Sequence, residues 1–168
     1  MQLITSTFSD KHRATQVLSE LEDLELDWGP PVNQAAVALT VNRHGKVRVH
    51  QAHEAAATGA LLGGMTGFLA GLLVFAPGVG AAIGAATGGA IGSTADPAPL
   101  DGIDKDFLKS LGSNLAPDSS ALIVLVPDGV AASALASVQA YEDGVIAEAA
   151  VDAATEQAIR DAYESSIA

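Results

Sequence analysis

The chain has 168 residues, 4% aromatic, a net charge of −12 and no cysteine. That length fits one domain, with or without an insertion, and a core built from Ala, Val, Leu and Ile. Disulfides, thiolate metal sites and cysteine nucleophiles are excluded. The acidity argues against nucleic acid, whose phosphates need Lys and Arg, and against docking on anionic lipid through a basic patch.

The charge is unevenly spread. Residues 1–54 hold five basic and seven acidic side chains, residues 96–168 hold three and thirteen, and residues 55–95 hold none. The start, Met1 to Arg13, lacks a basic head followed by a long apolar run, so no secretory signal is expected there.

Met1 to Phe8 alternates weakly, with Leu3, Ile4, Thr5 and Thr7, and reads as a strand. Ser9 or Asp10 then caps a helix on which Ala14, Val17, Leu18, Leu21 and Leu24 recur at helical spacing. Trp28-Gly29-Pro30-Pro31 ends that unit, because proline bars continuation of a helix. Ala35 to Val41 and Lys46 to His50 read as two strands of a hairpin. Asn42-Arg43-His44-Gly45 turns between them, with Gly where a positive φ is needed.

After residues 55–95 and the stiff Asp96-Pro97-Ala98-Pro99 linker, Asp104 to Leu111 reads as a short helix with Phe107, Leu108 and Leu111 on one face. Pro117-Asp118-Ser119-Ser120 is a turn. The unbroken apolar run Ala121 to Val126 suggests a central strand covered on both faces. A helix over Val130 to Tyr141, a strand over Gly144 to Val151 and an amphipathic helix over Thr155 to Ile167 complete the chain. The expected fold is α+β: a ferredoxin-like sheet with helices on one face, made of residues 1–54 and 96–168, into which residues 55–95 are inserted as a glycine-zipper helical hairpin.

Eleven of the seventeen glycines lie between Gly59 and Gly92. Gly59, Gly63, Gly67 and Gly71 step by four along a first arm, Gly80, Gly84, Gly88 and Gly92 step by four along a second, and Pro77-Gly78 supplies the turn. Gly inside an isolated helix costs about 1 kcal/mol relative to Ala. A four-residue step gathers these glycines on one face and leaves a groove where another helix approaches closely. The other arm is the simplest partner, and a neighbouring subunit is the alternative. Leu61, Leu62, Phe68, Leu69, Leu72, Leu73, Val74 and Phe75 make the rest of the first arm apolar, so it must be buried in protein or lipid. Ala55 to Ala76 would give about 33 Å of helix, enough for a bilayer core of about 30 Å, whereas Val79 to Ser93 would give only roughly 22 Å.

Candidate chemistry is sparse. His50-x-x-His53-Glu54, with His44 nearby, is the best metal pattern, yet it falls where a strand gives way to a helix and is better read as the polar end of a hairpin. Asp96, Asp101, Asp104 and Asp106 lack the spacing of a calcium loop, and Asp104 is expected to cap the helix that follows it. There is no G-x-S-x-G elbow and no H-E-x-x-H. Gly78-x-Gly80-x-x-x-Gly84 lacks the Lys-Ser/Thr ending of a phosphate loop. No catalytic residue, metal site or cofactor is assigned.

Three stretches in this order carry a family resemblance. They are Gly45-Lys46-Val47-Arg48-Val49-His50-Gln51, then, beyond the Gly/Ala-rich double apolar segment, Gly102-Ile103-Asp104-Lys105-Asp106-Phe107-Leu108-Lys109, and lastly Ser119-Ser120-Ala121-Leu122-Ile123-Val124-Leu125-Val126. The chain resembles, over nearly its whole length, a bacterial family of unknown function: the domain of unknown function numbered twelve sixty-nine, labelled a predicted membrane protein. The resemblance implies no reaction, cofactor or catalytic residue. The expectation is therefore a non-enzymatic membrane-associated protein with a cytoplasmic domain, self-associating through its hairpin. The alternatives are a cytoplasmic homo-oligomer with hairpins buried between subunits, and a module that binds lipid or a small apolar ligand. The partners expected are other copies of the chain and a lipid membrane, with no nucleic acid and no identifiable small-molecule substrate.

Overall fold

The computed structural model describes residues 1–23, 35–45, 47–51, 102–157 and 161. In chain order they form β1 (Gln2–Phe8), α1 (Arg13–Asp23), β2 (Ala35–Val41), β3 (Val47–Gln51), α2 (Lys105–Asn114), β4 (Ser120–Val126), α3 (Asp128–Gln139) and β5 (Val145–Ala150). The chain is helical again at 153–157 and at 161. The hairpin expected over Ala55–Ala95 lies outside the described residues, as do Trp28-Gly29-Pro30-Pro31, the Asp96–Pro99 linker and most of the closing helix.

The fold is α+β. Five strands form one sheet in the order β3-β2-β4-β1-β5, and every neighbouring pair is antiparallel. β4 occupies the middle, and all seven of its residues are buried. Its apolar run is the local cause, since a strand with no polar side to offer water is stable only when both faces are covered. The β2–β3 turn also forms as the sequence dictates: Gly45 takes φ 75° and donates its N–H to the Asn42 carbonyl oxygen at 2.9 Å.

Alternation along the strands divides the core in two. One side gathers Leu3 of β1, Val37, Leu39 and Val41 of β2, Ala121, Ile123 and Leu125 of β4 and Ala149 of β5, under Phe107, Leu108 and Leu111 of α2. The other gathers Ile4 and Phe8, Ala38, and Leu122, Val124 and Val126, under Ala14, Val17, Leu18 and Leu21 of α1 and Ala134 and Val138 of α3.

Helices therefore lie on both faces of the sheet, which corrects the expectation of helices on one face. The physical reason is the apolar second face of β1, β2 and β4. Leu3, Leu39, Ile123 and Leu125 point to the α2 side and are fully buried. Burying one such side chain contributes about 1.5–3 kcal/mol, which water on that face would forfeit.

Element ends shift by small steps. α3 begins at Asp128 rather than Val130, directly after Pro127, whose fixed φ suits a helix start. Its first turn then carries an acidic residue, favourable at the positive end of a helix dipole.

Candidate functional site

The β2–β3 hairpin concentrates base. Arg43, Lys46 and Arg48 are three of the eight Lys and Arg residues of the chain, and no Asp or Glu occurs from Ala35 to Gln51. In its turn the Asn42 side-chain oxygen accepts the His44 N–H at 2.9 Å, holding the loop while Arg43 and His44 stay exposed. His50 pairs across the sheet with Ala38, and Arg48 with Thr40. Ala38 faces α1, so Arg48 and His50 project on that side too.

The His50 Nε2 lies 3.2 Å from the Thr40 hydroxyl. Partial burial is the main influence lowering the pKa of the largely exposed His50 from its ordinary 6.5, and the neighbouring charges of Arg48 and His12 add to it. The imidazole therefore favours its neutral form. His44 sits in the turn, and the three steps from Val47 to His50 alone span about 10 Å of strand, so the two histidines are not gathered. His53 and Glu54 lie outside the described residues. Among the described residues no group of three or more His, Asp or Glu side chains is placed to hold a metal ion.

Asp104 has the structural role its position implies. Its carboxylate accepts the Phe107 N–H at 2.8 Å and caps α2. Asp106 follows in the first turn of that helix, and Asp96 and Asp101 lie outside the described residues.

Sequence patterns missed a set of long-range contacts. Arg13, at the start of α1, donates from Nε to Asp143 at 2.7 Å, and its guanidinium lies 5.5 Å from the centre of the Tyr141 ring. The hydrogen bond to Asp143 raises the Arg13 pKa, and the same bond lowers that of Asp143. The Ser120 hydroxyl accepts the Ala14 N–H at 3.0 Å and donates to the Asp10 carbonyl at 2.6 Å, tying the start of α1 to β4. A Cβ on Gly102 would collide with the Asp152 and Thr155 side chains, and one on Gly144 with Ser6 and Phe8. The Asp152 carboxylate accepts the Thr155 N–H at 2.7 Å, and that bond is the main reason its pKa is lowered. Apart from the local Asp152–Thr155 cap, no spacing rule reveals these partners, because most are more than a hundred residues apart. All of them brace the fold rather than present a reactive group.

The candidate helix-packing positions Gly59, Gly63, Gly67, Gly71, Gly80, Gly84, Gly88 and Gly92, and the turn at Pro77-Gly78, lie outside the described residues. Among the described residues, no helix is long and apolar enough to cross a membrane.

No curated protein and no solved structure matches this chain. A family model does: the one described as Protein of unknown function (DUF1269) matches residues 60–164. That match spans more than half of the sequence, and the chain belongs to the DUF1269 family.

Proposed function

We propose that this member of the DUF1269 family is a non-enzymatic, membrane-associated protein. In this reading the α+β unit is cytoplasmic, and Ala55–Ala95 anchors it and self-associates as a glycine-zipper hairpin. The order β2-β4-β1-β5, with α1 and α3 on one face, supports assigning a ferredoxin-like core to which β3 adds an edge strand and α2 a second cover.

One observation carries the membrane reading. β3 runs toward the end of the sheet where β2 begins, because Gln51 pairs with Val37 and Val47 with Val41. The same end holds Leu125 of β4, Met1, and Val151, whose N–H donates to the Met1 carbonyl at 3.0 Å. Gly102 is there too, its carbonyl accepting the Asp152 N–H at 3.3 Å. Gln51 and Gly102, the described residues on either side of 52–101, thus lie at one end of the sheet, as a hairpin inserted from one side of a bilayer requires. Forty-one charge-free residues supply the apolar length.

A second reading, a homo-oligomer with hairpins buried between subunits and no lipid, draws on the charge of that same end. Asp128 and Glu156 gather around the Met1 ammonium at 3.2 and 3.0 Å, with Asp152 nearby. Such a cluster would be repelled by anionic headgroups.

Fractionation of cells expressing the full chain separates the two readings. Recovery in the membrane pellet, released by detergent but not by alkaline carbonate, is the expected result. Recovery in the soluble fraction without detergent overturns the membrane reading. Gly67→Leu or Gly84→Leu should disrupt insertion or assembly far more than Gly64→Leu, which lies off the four-residue step. Equal effects at all three would show that the step is immaterial.

A further inference from the structure

We propose that the two edges of the sheet pair with each other between copies of the chain, the β3 edge of one copy docking on the β5 edge of the next. This interface is separate from the Ala55–Ala95 segment.

The edges carry opposite charge. The β3 edge lies on the hairpin that holds Arg43 and Arg48, and no Asp or Glu occurs from Ala35 to Gln51. The β5 edge is flanked or occupied by Glu142, Glu148 and Asp152, with Asp143 already paired to Arg13, and no Lys, Arg or His occurs among residues 142–152. Arg48, His50 and Glu148 are all exposed.

They also share a face. Glu148 is registered with Ile4, which lies on the α1 and α3 side, where Arg48 and His50 also project. Four antiparallel steps separate β3 from β5, so the two edge strands point the same way. A copy displaced sideways therefore offers β3 to β5 in parallel, with the helix-covered faces kept in common. An offset of two residues from level lays Val145–Ala149 along Val47–Gln51. Glu148 then comes beside His50 with Arg48 one step away, and Glu142 comes near Arg43 and His44.

β5 is suited to accept a strand. Among the described residues its outer side bears no partner strand, and it contains no proline or lysine to discourage one. Val145, at its start, is a large apolar side chain left 60% exposed. Charge selects the partner. β5 against β5 would bring two acidic edges together and β3 against β3 two basic ones, whereas β3 against β5 matches opposite signs. Such a head-to-tail contact uses different surfaces on the two copies and repeats, generating rings or filaments.

The test is a charge swap in the full-length chain, followed by sedimentation velocity over a concentration series at low salt. Arg48→Glu and Glu148→Lys each set like charges face to face across this contact, and each alone should weaken association about tenfold. Mixing the two variants restores opposite charges at every contact and should return association to within about threefold of the original. The milder Arg48→Gln and Glu148→Gln should fall between, and added salt should weaken the original but not the neutralised pair.

Three results would overturn the proposal. One is an original chain with no association that depends on concentration. Another is a pair of single variants that associate like the original, which would leave residues 55–95 to account for assembly. The last is a mixture no tighter than its components. Tightening by Glu148→Lys alone would assign the contact to β5 against β5 instead. Membrane recovery of the same variants, unchanged throughout, keeps this result distinct from the anchoring reading.

Discussion

The two covers of the sheet are built differently. On one side, among the described residues, a single ten-residue helix brings large side chains, Phe107, Leu108 and Leu111, against β1, β2, β4 and β5. On the other, two helices share the work, and α3 reaches the sheet mainly through Ala134 and Val138. The α2 side gains its buried area from a few large groups. The α1 and α3 side gains it by bringing backbones near, which small side chains permit. An apolar sheet face can thus be closed by volume or by proximity, and the two solutions should fail in opposite ways under mutation.

The largest effect should come from removing volume where, among the described residues, one helix supplies it. Leu111 is fully buried. Leu111→Ala should cost about 3 kcal/mol, against about 2 kcal/mol for Val138→Ala on the other side, read from urea unfolding midpoints. Equal losses would break the contrast. The converse change adds volume where proximity matters. Ala134 is completely buried between α3 and the sheet, so Ala134→Leu should cost about 2 kcal/mol through overpacking. An unchanged melting temperature would mean that α3 moves outward freely and does not depend on close approach.

Much of this arrangement is legible in the residues. Ala121 to Val126 announces a strand covered on both faces, Asp104 a helix start, and Asn42 to Gly45 a turn with positive φ. Each of these depends on neighbours in sequence. Helix side is another matter. Phe107, Leu108 and Leu111 show that α2 has an apolar face, but not which face of the sheet receives it. The apolar second side of β4 hinted at it and was at odds with helices on one face only. The site was less legible. His44 and His50 stand close in sequence, yet the turn and the strand keep them apart. Arg13 and Asp143 stand 130 residues apart and touch. The four-residue glycine step has a clear packing logic in the sequence, and it falls outside the described residues.

A smaller effect sharpens the comparison inside the α1 and α3 layer. The Ser6 side chain is completely buried on that side, and among the described residues its hydroxyl has no hydrogen-bond partner. A buried, unmatched hydroxyl costs stability, so Ser6→Ala should raise it by about 1 kcal/mol, seen as a higher urea midpoint. A loss of stability would show instead that the oxygen fills space the methyl cannot. In that case the layer would be close-packed even beside Gly144, whose added Cβ would already meet Ser6 and Phe8.

The smallest effect concerns pH at the rim of that same layer. Burial first, then Arg48 and His12, lower the His50 pKa below 6.5 in the folded chain. As pH falls, the unfolded chain therefore binds this proton before the folded chain does, and unfolding is favoured. The contribution of His50 is present above pH 6.5, declines as pH drops toward the lower folded value, and is constant beyond it. Melting temperatures taken from about pH 8 to about pH 5 should fall less for His50→Gln than for the original chain, with the two curves parallel at the high end. Arg48→Gln should narrow the window without abolishing it, because burial is the larger cause and remains. A decline equally steep in His50→Gln would assign the acid sensitivity elsewhere, and the rim of the α1 and α3 layer would then be indifferent to the charge of its histidine.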